Sequence, residues 1–222
     1  MTLGGERLLL PFYLVKHLQK ISVFGLGKLG ACIAATLAAR GFDVLGVDID
    51  PEKVRRVNEG QSPVQEPLLA ETIQAGRSRL RATTDHREAV TTDASCFIPP
   101  SPSLPDGSFS SEFLLKAMQP IAMACKEKGK KGHVFICNST TTPGSVDSVL
   151  IPMLERELSG KCGVDFGFCY NPEFIALGNV VSGLLEPDLV LIGESDPQRR
   201  RARSALQKIQ SQPAAHRAHV HY

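Results

Sequence analysis

Several features that identify common classes of protein are missing from this 222-residue sequence. It has no tryptophan and only three tyrosines, so a stacking platform for single-stranded nucleic acid is not predicted. The formal net charge is only +2, so neither nucleic acid nor a membrane surface is expected as a partner. None of the six cysteines has CxxC spacing, and we predict no metal site; the cysteines are interpreted as small buried apolar residues in a reducing compartment.

A long apolar run is missing as well. The N-terminal run from Leu8 to Val15 is broken by Pro11 and is too short to cross a bilayer. It also lacks the basic start and the small-residue cleavage site of a signal peptide. We therefore expect residues 1–18 to be a poorly ordered extension of a cytoplasmic protein.

What the sequence does contain is an alternation of short apolar runs with segments of helical periodicity. The strand-type runs cover residues 20–24, 43–47, 80–83, 94–98, 133–137, 165–170 and 188–192. The main helical segments cover residues 28–40, 51–58, 68–74, 111–128 and 143–157, with 171–183 mostly irregular. This order predicts an α/β fold with a doubly wound, mainly parallel, Rossmann-like sheet over residues 19–196. Residues 197–222 are predicted to form a helix followed by a frayed tail.

A glycine motif of the form GxGxxG directly follows the first predicted strand and opens the first predicted helix. Its first glycine allows a tight turn, its second lets a pyrophosphate approach the backbone, and its third allows close packing of helix on strand. The alternative is a strand–helix turn that merely requires glycine. The cofactor-binding residues predicted here are Gly25, Leu26, Gly27, Lys28, Leu29 and Gly30.

An acidic residue at the end of the second strand completes the pattern of a dinucleotide site. Asp48 and Asp50 both stand there, but Asp50 has a local role as the cap of the helix that begins at Pro51. Asp48 is therefore predicted to accept both ribose hydroxyls, which favours NAD over NADP. NADP stays open as an alternative, because a nearby basic residue could accommodate the 2′-phosphate: Lys53, which is also assigned to the cofactor site, Arg55 or Arg56.

A set of motifs in a fixed order then resembles one family. The motifs are Phe24–Gly30, Val47–Asp50, Gln65–Pro67, Pro100–Ser103, Ser139–Thr141, Asn171–Phe174 and Pro187–Gly193. Together, over about residues 19–196, they resemble the NAD-binding domain of the UDP-glucose/GDP-mannose dehydrogenase family. The resemblance implies oxidation of the C6 alcohol of a nucleotide sugar to a carboxylate. It implies two NAD-dependent hydride transfers, an aldehyde held by a cysteine, and homo-oligomeric full-length relatives.

The resemblance also implies roles for individual residues of this chain. Thr140 would help to position a catalytic water, and Glu173 would act in acid–base steps. A second glutamate that many members carry is replaced by leucine here, so its cofactor contact is not transferred. The further cofactor-binding residues implied are Pro100, Ser101, Ser103, Ser139 and Thr140. The substrate-binding residues implied are Glu173, Phe174, Ile175, Ala176 and Leu177.

The family's nucleophilic cysteine lies in a downstream glycine-rich motif that this sequence does not contain. We therefore expect a C-terminally truncated chain that binds NAD and is inactive alone. The alternatives are a dehydrogenase of the 3-hydroxyacyl or 6-phosphogluconate type, and an NAD-binding regulatory module without catalysis. The substrate stays open among UDP-glucose, UDP-N-acetylmannosamine, UDP-N-acetylglucosamine and GDP-mannose.

Overall fold

The computed structural model describes residues 18–174, 176–194 and 216–221, and it places eight strands in one sheet. The strand order is β3-β2-β1-β4-β5-β6-β7-β8, so the chain reverses its direction of winding between β1 and β4. The strands are β1 Lys20–Phe24, β2 Asp43–Val47, β3 Leu80–Thr83, β4 Ala94–Phe97, β5 Val134–Cys137, β6 Gly167–Tyr170, β7 Leu189–Glu194 and β8 His216–His221. Such a reversal point creates a crevice at the carboxyl ends of the strands.

Helices cover both faces of this sheet. The helices are α1 Lys28–Ala39, α2 Pro51–Asn58, α3 Leu69–Ala75, α4 Glu112–Glu127, α5 Ile151–Leu158 and α6 Val180–Leu185. Buried residues of α1, α3 and α6 share one apolar cluster with one face of the strands. Buried residues of α4 and α5 share a second cluster with the other face. Neighbouring residues such as Val23 and Phe24 fall in different clusters, because successive strand residues point to opposite faces.

The predicted fold class, a doubly wound and mainly parallel sheet, is confirmed. Strands β1 to β6 are parallel to their neighbours, but β6 and β7 are antiparallel. The C-terminal segment departs from the prediction: where a frayed tail was expected, His216–His221 forms β8, parallel to β7 along its full length. The polar composition of this segment gave no sign of a strand, because an edge strand is held mainly by backbone hydrogen bonds to its neighbour.

The predicted start of one helix is wrong, and the reason is physical. The sequence predicts a helix over residues 143–157, but the hydroxyl of Thr142, which stands before that segment, accepts a hydrogen bond from the Phe109 backbone N–H at 2.7 Å and does not cap it. Gly144 has a φ of +83°, so the helix begins later, with a π-helical turn at Val146–Leu150 that leads into α5. The stretch 171–183 was expected to be mostly irregular, and its described residues before Val180, where α6 begins, are outside helices and strands.

The N-terminal extension lies outside the described residues except for its last residue. Leu18 is almost fully buried in the cluster that contains α1, so the core begins one residue before the predicted domain boundary. None of the helices in the described part of the chain combines the length and the apolar character needed to span a bilayer.

A buried polar network lies within the sheet near the amino-terminal half of its central strands. The Ser95 hydroxyl on β4 lies 2.6 Å from the Ser22 hydroxyl on β1 and 2.8 Å from Nε2 of His133. Nδ1 of His133 lies 3.0 Å from the Thr92 carbonyl oxygen. Burial lowers the pKa of His133 to about 3, so the ring is neutral at physiological pH and acts as a structural hydrogen-bonding group.

Candidate dinucleotide and catalytic site

The structure brings the motifs predicted from sequence to one edge of the sheet. The glycine turn follows β1, Asp48 follows β2, and the loop from Pro99 follows β4. Ser139 and Asn171 follow β5 and β6 in the same way. Because these strands are parallel, their carboxyl ends lie side by side at the edge where doubly wound sheets bind ligands.

The glycine turn has the geometry that a close-packed strand–helix junction requires. Gly25 has a φ of +94°, a region that other residues rarely adopt, and its N–H donates to the Val47 carbonyl at 2.8 Å. A Cβ atom on Gly30 would lie 1.8 Å from the Gly25 carbonyl oxygen, so α1 packs against the turn without room for a side chain. A Cβ atom on Gly27 would meet nothing within 4 Å, so the space beside the start of α1 is open.

Asp48 is tied directly to this turn. Its Oδ2 accepts a hydrogen bond from the Leu26 N–H at 2.5 Å, and its Oδ1 accepts one from the Asp50 N–H at 2.9 Å. The residue is only 7% exposed. Asp50 caps α2 through the Glu52 N–H, as its position before Pro51 predicts. The two aspartates therefore have separate tasks, and Asp48 is the one held beside the glycine turn.

The basic residues near Asp48 are arranged in a way that bears on cofactor choice. Lys53 Nζ lies 3.5 Å from Asp48 Oδ2, so this ammonium group is paired with the carboxylate. The Arg55 guanidinium is held between Glu52 and Glu59 on the outside of α2. Lys53 and Arg55 are thus engaged by carboxylates, whereas Arg56 on the same helix forms no ion pair with any of the described residues.

The loops after β4 and β5 are joined close to the switch point. The Ser139 hydroxyl donates to the Pro99 carbonyl oxygen at 2.5 Å, and Ser103 forms an isolated antiparallel bridge with Phe109. The Ser101 hydroxyl oxygen is buried and finds no hydrogen-bond partner among the described residues. Such an atom is normally satisfied by water or a ligand. Thr140, beside the buried Ser139, is exposed.

Glu173 lies near the same edge, in the loop after β6. It is half-buried, and desolvation raises the pKa of its carboxyl group to about 7. Burial, and secondarily the charge of Glu173, raises the pKa of the Cys96 thiol on β4 to about 12, so this thiol is protonated. A carboxyl group with a pKa near neutrality can both donate and accept a proton at physiological pH.

The predicted substrate segment is largely exposed. Phe174 is 61% exposed and Leu177 is 71% exposed, whereas Ile175 lies outside the described residues. Leu177 therefore exposes an apolar side chain at the position where many members of the resembling family carry a glutamate. The roles assigned to Glu173 through Leu177 stay predictions.

One residue missed by sequence reasoning lies directly after Asp48. Ile49 is 81% exposed at the end of β2, next to the carboxylate predicted to hold the ribose. An apolar residue between two aspartates in a turn was the signal that could have drawn attention to it.

The motif around Glu66 carried no assigned role in the sequence, and the structure supplies one. Oε1 of Glu66 accepts a hydrogen bond from the Val180 N–H, the first of α6, at 3.1 Å. At the other end of α6, Arg40, the residue directly after α1, donates to the carbonyl oxygens of Leu184 and Leu185, each at 3.1 Å. An acid at the N-terminus and a cation at the C-terminus both suit the helix dipole. The loop that carries Glu173 is thus anchored against α1 at its far end.

The fold and this edge define the class of the protein. A glycine turn at the first strand–helix junction, with a carboxylate of the second strand hydrogen-bonded to it, is the arrangement of a Rossmann-type dinucleotide-binding domain. The family model described as "UDP-glucose/GDP-mannose dehydrogenase family, NAD binding domain" matches residues 19–211. The chain belongs to this family, and NAD, the predicted cofactor, is confirmed as the cofactor of the domain.

Known proteins give the same result. The chain is 40% identical over 181 residues to the GDP-mannose 6-dehydrogenase of Pseudomonas savastanoi pv. phaseolicola, which covers 80% of this chain and 41% of the relative. It is 37% identical over 180 residues to a UDP-glucose 6-dehydrogenase of Haloferax volcanii, which covers 79% of this chain and 41% of that relative. The chain therefore spans about two fifths of the length of these curated relatives.

Solved structures agree with the sequence matches. The GDP-mannose dehydrogenase from Pseudomonas aeruginosa, solved as a ternary complex, superposes with a TM-score of 0.82 at 35% identity, over 90% of this chain and 45% of that one. A UDP-glucose dehydrogenase from Pyrobaculum islandicum superposes with a TM-score of 0.83 at 28% identity, over 100% of this chain and 48% of that one. The family's named members are dehydrogenases, so the predicted oxidoreductase class is confirmed at the level of the family.

Proposed function

We propose that this chain binds NAD across the carboxyl edge of β1, β2, β4 and β5. In this proposal the pyrophosphate lies in the open space beside Gly27, where the N–H groups and positive dipole end of α1 favour an anion. Asp48 accepts hydrogen bonds from the adenosine ribose, and Ile49 packs against the adenine. The observation that carries the proposal is the 2.5 Å hydrogen bond from the Leu26 N–H to Asp48, which joins the two halves of the site.

The loops after β4 and β5 complete the proposed cofactor site. The hydroxyl of Ser101, which has no hydrogen-bond partner in the described part of the chain, provides an acceptor and donor for the cofactor, and Ser139 holds the backbone of Pro99 in place. Lys53 keeps the charge of Asp48 partly neutralised while the hydroxyls of the ribose bind. These assignments fit the residues present, since each supplies a group that a dinucleotide requires.

We further propose that the domain serves a nucleotide-sugar dehydrogenase. Bound NAD supplies the hydride acceptor for oxidation of an alcohol. Glu173, with a pKa raised to about 7 by burial, exchanges a proton with a substrate oxygen or a water molecule. Thr140 is exposed close to that edge, and its hydroxyl can relay such a proton because it both donates and accepts.

The substrate class proposed is a nucleoside diphosphate sugar. GDP-mannose is placed before UDP-glucose, because the GDP-mannose enzymes among the relatives are slightly more similar to this chain. Full-length relatives are proposed to be homo-oligomers. A reducing, cytoplasmic location is proposed as well; it is supported by cysteines that lie as small apolar residues in the buried clusters, namely Cys32, Cys96, Cys125 and Cys137.

The test of the proposed function is a titration with NADH, followed by fluorescence or calorimetry. Replacing Asp48 with alanine is expected to weaken NADH binding at least about tenfold, because charge-assisted hydrogen bonds to the ribose are lost. The preference for NADH over NADPH is expected to shrink in the same variant, since the carboxylate that repels a 2′-phosphate is gone.

Asp50→Ala is the matched control for this experiment. It also removes a carboxylate from the turn after β2, but its side chain caps α2 and takes no part in the proposed site. It should lower stability by about 1 kcal/mol and leave the affinity for NADH nearly unchanged. Equal affinity losses in the two variants, or no NADH binding by the wild-type chain, would refute the proposal.

A further inference from the structure

Two asparagines form a buried amide pair across the carboxyl ends of β4 to β7. Nδ2 of the Asn138 side chain donates to the backbone carbonyl oxygen of Asn171 at 2.8 Å. The backbone N–H of Asn138 donates to the backbone carbonyl oxygen of Phe97 at 3.0 Å. The Asn171 N–H donates to the Cys137 carbonyl oxygen at 2.8 Å, and its Nδ2 donates to the Leu191 carbonyl oxygen at 3.0 Å. The pair therefore connects four neighbouring strands with hydrogen bonds at one level of the sheet.

This amide pair joins the loop after β5, which carries Thr140, to the loop after β6, which carries Glu173. Asn138 stands just before Ser139 and Thr140 in the loop after β5, and Asn171 stands just before Glu173 in the loop after β6. Both asparagines are buried, whereas Thr140 is exposed and Glu173 is half-buried. Each asparagine thus holds the start of a loop in place: Asn138 precedes Thr140, and Asn171 precedes Glu173.

The Asn138 side chain also retains an unused acceptor. Its Oδ1 is buried and makes no hydrogen bond to any of the described residues, although the residue is only 6% exposed. Burying a carbonyl oxygen without a partner is unfavourable, and a leucine of similar size would fill the same space without that cost. The polar side chain is therefore explained better by the link that it makes to Asn171 than by packing.

We propose that Asn138 is a positioning residue: through its amide hydrogen bond to Asn171 it sets the separation between the Thr140 loop and the Glu173 loop. The use of this separation in catalysis rests on the proposed function, but the link itself does not. Glu173 owes its raised pKa to burial, and the thiol of Cys96 is the titratable group that responds to its charge. If the loop after β6 is no longer held in place, the Glu173 carboxyl group becomes hydrated and its pKa falls.

The experiment is an NMR titration of Glu173 in the ¹³C-labelled chain, assigned with Glu173→Gln. In Asn138→Ala the pKa of Glu173 is expected to fall by about one unit from its value near 7, because a freed loop hydrates the carboxyl group. Asn138→Leu fills the same space but has no donor, and the same fall is expected. A cavity therefore cannot account for the result.

Ser22→Ala is the matched control, since it removes buried hydrogen bonds to Ser95 and Thr92 away from both loops. It should lower the melting temperature and leave the pKa of Glu173 unchanged. If both Asn138 variants lower the melting temperature but leave that pKa unchanged, Asn138 is merely structural and the proposal is overturned.

A measurement on the wild-type chain covers the case in which the variants do not fold. The side-chain NH₂ protons of Asn138 are expected to exchange with solvent at least about tenfold more slowly than those of a free amide. Exchange at the free rate would overturn the proposal. NADH binding is measured on the same samples: its absence from the wild type would refute the proposed function, whereas the Glu173 titration reports on the link in either case.

Discussion

The variant Gly30→Ala is expected to lose measurable NADH binding and to unfold at a markedly lower temperature than the wild-type chain. The added methyl group would lie 1.8 Å from the Gly25 carbonyl oxygen and 3.6 Å from Cδ1 of Ile98. The first distance is far below van der Waals contact with a backbone atom that cannot rotate away. Helix α1 must therefore shift off the turn, and its first N–H groups no longer converge on a phosphate. Affinity for NADH should fall at least about 100-fold, and overpacking should cost about 1–3 kcal/mol or more of stability.

Gly27→Ala separates the effect on the ligand from the effect on the fold. A Cβ at position 27 meets nothing within 4 Å, and the φ of −75° suits any residue, so the folded chain should be nearly as stable as the wild type. The methyl group nevertheless enters the space proposed for the pyrophosphate, so NADH binding should weaken. Wild-type affinity in Gly27→Ala would place the phosphates elsewhere. Wild-type affinity in Gly30→Ala would show that the turn is not the cofactor site. Binding is measured by NADH fluorescence and stability by thermal unfolding.

The glycine turn illustrates what could be predicted from the sequence. The spacing of Gly25, Gly27 and Gly30 and the acid at position 48 are set by local sterics and by the length of one helix and two strands. Such constraints act over short stretches of chain, so they leave a readable pattern in the sequence. The choice between Asp48 and Asp50 followed from a capping rule, and the structure shows Asp50 as the cap.

Other parts of the site depend on contacts between distant residues, and no local pattern reports them. The amide pair of Asn138 and Asn171 joins residues that are 33 positions apart, and the Glu66 contact with α6 spans 114 positions. The helix predicted from residue 143 begins later, and the hydroxyl of the preceding Thr142 accepts a hydrogen bond from Phe109 of another loop. Strand β8 depends on its neighbour β7 in the same way. In each case a tertiary contact determines the structure, and the local sequence preference for helix, strand or turn either opposes it or is absent.

Glu173 gives the last expected result: Glu173→Gln should be more stable than the wild-type chain at pH 8. Desolvation raises the pKa of this carboxyl group above its ordinary value of 4.5 to about 7 in the folded state. Between these values the folded chain binds a proton that the unfolded chain has lost, so the free energy of unfolding falls as the pH rises through this window. Above pH 7 a charged, half-buried carboxylate remains. The raised pKa corresponds to about 3 kcal/mol, which partial exposure reduces to about 1–2 kcal/mol.

Glutamine has nearly the same shape and no charge, so the substitution should recover about 1–2 kcal/mol at pH 8 and almost nothing at pH 4.5. Urea unfolding at the two pH values measures the difference. Glu186→Gln, at the exposed C-terminal end of α6, removes one negative charge without relieving a buried one and should change stability little at either pH. A Glu173 variant no more stable than wild type at pH 8 would mean that the carboxylate is well solvated, and its proposed proton transfer near neutrality would lose its physical basis. The same desolvation that destabilises the Glu173 carboxylate also brings its pKa close to neutrality. A site for proton exchange therefore requires some loss of stability at this one half-buried acid.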